Sequence, residues 1–177
     1  KISFKNIVLV TLITIFSYPV VIFIQAIFLG IISIFKEIQP TGVPVPMDDM
    51  QYLLSFFVIA ISPGICAEVM FRRTMLSAYD RLGARKSIII TGILFAAFHF
   101  TLLNFIGPLI LGIIFGIMVH KTNSIYSSMI GHTVNNGIAV TILYLVNKYG
   151  DKIVNGKPIV CLAGTADKNK FDFLQVW

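Results

Sequence analysis

From Ile7 to Phe35 the chain carries no Asp, Glu, Lys or Arg. About 18 consecutive apolar residues are enough to mark a membrane-crossing helix, so this stretch alone restricts the fold. The rest of the chain agrees: 56% of the residues are hydrophobic, 12% are charged and the mean hydropathy is +0.87. A soluble domain is nearer 45–50% apolar and about 25% charged. These values predict an all-α, polytopic transmembrane bundle forming one domain over residues 1–149.

Five membrane segments are expected, at about 6–35, 50–80, 86–104, 107–121 and 124–147. In the first, Pro19 predicts a kink and Gln25 is the one strongly polar interior residue. Lys1 and Lys5 before an apolar run resemble the start of a signal peptide. The run is too long for a signal's apolar core, however, and has no small-residue cleavage site. A chain opening on Lys1 is expected to begin inside a longer protein or after a removed tag. The linker "KEIQPTGVPVPMDD" excludes helix by its Pro and Gly content. Asn123 and Ser124 are N-cap candidates for the fifth segment. In the fourth, "GIIFG" from Gly112 to Gly116 fits a close helix-packing face. Beyond Gly150 the composition turns mixed, and residues 150–177 read as an extramembrane or interfacial tail, or as sequence foreign to the fold.

The net charge of +6 describes topology, because no soluble basic face exists for nucleic acid. Lys1, Lys5, Arg72, Arg73, Arg81, Arg85, Lys86 and Lys121 fall on one side of the segments, and Lys36 and Lys148 on the other. The positive-inside rule then places the N-terminus in the cytoplasm and the tail outside. Cys66 lies inside an apolar helix and Cys161 in the tail, so no disulfide between them is expected.

Few ionisable groups remain at membrane depth. Glu68, Arg72, His99 and His132 are the main ones, with Asn135 and Asn136 as polar company. Such residues face a bundle interior or a hydrated cavity and mark functional sites by default. Glu68 and Arg72, Phe95 and His99, and His132 and Asn136 are each four residues apart, so each pair shares a helix face. Taken singly, Glu68 with Arg72 also admits a structural ion pair locking a helix end, and His99 reads as a packing histidine. Arg73 reads as a snorkelling charge, and His120 beside Lys121 as interfacial. Together, a carboxylate, two imidazoles and an amide are the parts needed to activate water and hold an oxyanion in one intramembrane polar cavity. Pro63 and Gly64, just before the first pair, are expected to bend the second helix and free its carbonyls.

The motifs "AEVMFRR", "FAAFH" and "HTVNN", in this order on three helices, resemble the CPBP family. These are the CAAX-protease and bacteriocin-processing (Abi) intramembrane proteases, which include the Ras-converting CAAX endopeptidases. The resemblance covers residues 50–147. It implies that Glu68 and Arg72 organise the site, that His99 and His132 take part in catalysis, and that Asn136 is an oxyanion donor. It also implies a peptide or membrane-protein substrate, such as a C-terminal tail or leader peptide, entering from the cytoplasm. The family's first glutamate, taken as the general base that activates water, corresponds to Ala67. Either that glutamate has been replaced in an active enzyme, or the chain is a naturally non-catalytic member. The intact remaining motifs favour replacement. The family is often called metalloprotease, and zinc on Glu68, His99 and His132 is left open, although no His-Glu-x-x-His helix is present. The alternatives to an endopeptidase are a non-catalytic membrane scaffold or chaperone and, less well matched for lack of an internal repeat, a transporter.

Overall fold

The computed structural model describes residues 2–35 and 44–153. Most of the proline-containing linker and nearly all of the tail, including Lys1, Lys36 and Cys161, lie outside the described residues. Among the described residues there are five helical segments: α1 (Phe4–Phe35), α2 (Asp49–Leu82), α3 (Ala84–Ala97), α4 (Ile106–Thr122) and α5 (Ile125–Ile153). The predicted all-helical bundle is therefore observed. Three helices, α1, α2 and α5, are long and apolar enough to cross a membrane, and α4 is a shorter apolar helix.

The expected third segment, 86–104, is overestimated at its C-terminal end. Helix α3 has 14 residues and stops at Ala97, although the apolar run continues past it. Three residues on, Phe100 takes a left-handed conformation with φ 54° and turns the chain away from the helix axis, a conformation that glycine usually supplies where helices end this way. At 1.5 Å per residue, α3 rises about 21 Å, short of the roughly 30 Å of a hydrocarbon core. At the other extreme, α5 runs on to Ile153, past the expected 147. Helix α1 is helical on both sides of Pro19.

Helix α2 is not a uniform winding. Phe56–Ile61 and Val69–Leu76 are π-helical, separated by the α-helical turns Ser62–Glu68. Pro63 supplies the cause of the first irregularity: it has no N–H for the carbonyl of Ile59, four residues back. Asn136 of α5 donates its Nδ2 to that carbonyl at 2.9 Å. The carbonyl expected to be freed by Pro63 is thus satisfied from a neighbouring helix, as lipid requires.

Small residues set the distances between helices. A Cβ on Gly64 would lie 2.2 Å from Thr133 Oγ1 and 3.2 Å from its backbone nitrogen, so α2 and α5 touch through backbone here. Gly112 sits on Gly92, with a Cβ there only 3.0 Å from the Gly92 Cα. The small-residue face expected in "GIIFG" is therefore the α3–α4 contact. Val10, Phe115 and Met118 form a core cluster joining α1 to α4, flanked by Ile130 of α5.

The two ends of the bundle differ in charge. Arg81, Arg85, Lys86 and Lys121 are exposed where α2 ends, α3 begins and α4 ends. His120, expected to be interfacial, is 3.2 Å from Asp80 at this same end. At the opposite end Asp49 receives hydrogen bonds from Tyr144 and from Lys148, the latter at 2.7 Å. Cys66 is an exposed free thiol.

Candidate active site

Glu68 sits on the last α-helical turn of α2 before its second π-helical stretch, fully buried. Its carboxylate is divided between two partners. Arg72 Nε donates to Oε2 at 2.9 Å, and His132 Nδ1 lies 3.0 Å from Oε1. A lone charge at this depth is costly, and pairing with a second, hydrogen-bonded charge removes most of that cost. Arg72 is itself 2% exposed, and its guanidinium lies 5.4 Å from the centre of the Phe95 ring, within range for attraction to the ring face. Its two Nη atoms are buried with no hydrogen-bond partner among the described residues.

His132 is held on both sides. Its ring stacks on Phe115 at 5.5 Å and meets Phe95 nearly edge-on, also at 5.5 Å. With Nδ1 donating to an ionised Glu68, the neutral imidazole presents a lone pair at Nε2; only the doubly protonated ring donates there. His99 comes from the other direction. It lies just beyond α3, its Nδ1 3.0 Å from the carbonyl of Phe95 and its ring 5.3 Å from the Phe95 ring. Phe95 therefore touches both histidines.

The structure brings Glu68, Arg72 and His132 into direct contact, with His99 joined to them through Phe95. Asn136, one turn beyond His132, is directed elsewhere. One of its amide hydrogens goes to Ile59, and its oxygen accepts from Asn135 at 3.1 Å. Ala67 is partly exposed beside the buried Glu68. The aromatic frame was not anticipated: Phe95 entered only as a motif partner and Phe115 only as part of "GIIFG". Their helical spacing carries no sign that both would clasp a histidine.

A zinc site on Glu68, His99 and His132 does not fit this arrangement. Among the described residues no group of three His, Cys, Asp or Glu side chains is placed to hold a metal ion.

Residues 49–138, just over half of the chain, match the family model for Rce1-like type II CAAX prenyl endopeptidases. The chain belongs to that family. It is an integral membrane protein of peptidase type, and the match spans all three motifs, from the start of α2 to the middle of α5. Helix α1 lies outside it. No curated protein and no solved structure matches the chain.

Proposed function

We propose that the chain is an intramembrane endopeptidase of the CAAX-protease type whose general base is missing at Ala67. The observation that carries this reading is the fully buried Glu68, bridging Arg72 on its own helix and His132 from α5. The resemblance assigns site-organising roles to Glu68 and Arg72, and that bridge is the kind of contact such roles require. In an active form, a glutamate at position 67 takes a proton from water as the water attacks the scissile carbonyl. His99 positions that water or donates a proton to the departing amine. His132 steadies the developing oxyanion through Nε2 when doubly protonated, and Asn136, whose other amide groups hold Ile59 and Asn135, joins it only through its second amide hydrogen.

Glu68 is a poor substitute for the missing base. It lies about 100° around the helix from position 67 by ordinary helical geometry, and its two oxygens are occupied. The chain as it stands is therefore nearly inactive. Its substrate is a peptide or membrane-protein tail. The site opens to the cytoplasm, because Arg81, Arg85, Lys86 and Lys121 crowd one end of the bundle. The test compares cleavage of prenylated and leader-type peptides by this chain and by its Ala67→Glu form. Activity gained on any of them supports the reading, and none gained on all of them removes it.

Ala67 itself favours a second reading, a membrane scaffold that keeps the family bundle and binds a partner protein without cutting it. A partner that stays bound after His99→Ala and His132→Ala together, with Ala67→Glu silent, supports this alternative.

A further inference from the structure

Gln25 lies on α1, outside the region matched to the family, in a helix otherwise free of strongly polar interior groups. An amide at this depth needs partners, since lipid offers none. Both ends of the Gln25 carboxamide find them on the loop between α3 and α4. Nε2 donates to the carbonyl of Leu103 at 2.5 Å, and Oε1 accepts from the Gly107 N–H at 2.7 Å. Gly107 N–H belongs to the first turn of α4, where no intrahelical acceptor exists. A Cβ on Gly107 would come within 3.2 Å of Gln25 Oε1, so the close approach depends on glycine.

This is the loop that carries His99. Its other hydrogen bonds are local: His99 N–H to Ala96, Phe100 N–H to Ala97, and Asn104 N–H to Thr101. Phe98 meets the Phe71 ring of α2 edge-on at 5.6 Å, which packs the start of the loop, whereas Phe100 and Leu102 farther along it are exposed. Phe100 also holds a positive φ, a conformation that persists in a non-glycine residue only where its surroundings enforce it. Among the described residues, Gln25 alone ties this loop to a distant helix by hydrogen bonds.

We propose that Gln25 is a positioning residue: through Leu103 and Gly107 its carboxamide fixes the loop that sets His99 against Phe95. Helix α1 is then part of the site's framework as well as a membrane anchor. The consequence for catalysis rests on the peptidase reading, whereas the placement of the loop does not.

The experiment has two arms. In the first, backbone hydrogen exchange of the chain in detergent is compared with that of Gln25→Leu and Gln25→Glu. Exchange across residues 98–107 is expected to accelerate by about tenfold in the leucine variant, the equivalent of one hydrogen bond. The glutamate variant, which keeps the acceptor for Gly107 and in its neutral form a donor for Leu103, is expected to restore protection. Peptides around Glu68 and His132 should not change. Unaltered exchange in the loop, or acceleration spread evenly over the bundle, overturns the proposal. In the second arm the same variants are placed in the Ala67→Glu chain. Gln25→Leu is expected to lower kcat about tenfold with little change in KM, and an unchanged kcat overturns the proposal. If the Ala67→Glu chain cleaves nothing, the peptidase reading falls and the exchange comparison alone decides the role of Gln25.

Discussion

Glu68 of α2 and His132 of α5 stand 64 positions apart in the chain, yet His132 Nδ1 lies 3.0 Å from the buried carboxylate. That contact ties the first motif to the last. It also fixes which histidine nitrogen is left over for chemistry, because the ring has only one other.

Restoring the base is the most direct prediction. General-base catalysis contributes about 10²–10⁴-fold in rate, so Ala67→Glu is expected to raise cleavage of an accepted peptide by that order. Glu68→Gln in the restored chain is expected to abolish the gain by releasing Arg72 and His132. A quenched-fluorescence peptide assay in detergent or liposomes reads both changes.

The ion pair has its own signature. Glu68 and Arg72 are both buried, and removing one partner strands the other, at a cost of about 3–5 kcal/mol for pairs of this kind. Glu68→Leu and Arg72→Met are each expected to lower the melting temperature sharply. The double variant should lose much less than the sum of the two. Strict additivity in thermal denaturation would show that the two side chains act independently.

Gly64 sets the spacing of α2 and α5. Gly64→Ala pushes a methyl into Thr133, and overpacking of this sort costs about 1–3 kcal/mol. Thr133→Ala removes the nearest atom, Oγ1, but not the backbone nitrogen behind it, so rescue is expected to be partial. Denaturation of the two single variants and the double variant measures how much of the clash is side chain.

Asn136 and Pro63 are predicted to be coupled through the Ile59 carbonyl. Asn136→Ala removes a hydrogen bond worth about 1 kcal/mol net. Pro63→Ala returns an N–H to the helix and gives that carbonyl another donor. The loss from Asn136→Ala is therefore expected to shrink in the Pro63→Ala background, and equal losses in the two backgrounds would sink the link.

The helical class was visible in the unbroken apolar runs, and the three motif pairs stood out because ionisable groups are rare at membrane depth. Pro63 also announced an unsatisfied carbonyl, although which side chain would reach it was not readable. The end of α3 left no trace in the sequence. "FHFTLLNF" carries no charge and no Gly or Pro to mark a stop, and the residue that turns the chain is Phe100. Gln25 was conspicuous as a polar residue in lipid, but its partners are 78 and 82 positions away, and the nearer, Leu103, belongs to a loop that hydropathy had absorbed into a helix. Periodicity shows which face of a helix is buried. It does not show which ring from another helix will lie against it.

The brevity of α3 matters for the lipid as well as for the protein. A helix about 9 Å shorter than a hydrocarbon layer does not reach from one headgroup region to the other by itself. His99 follows directly on the tip of this short helix and is exposed, so the length of α3 sets how far along the bundle the histidine is carried.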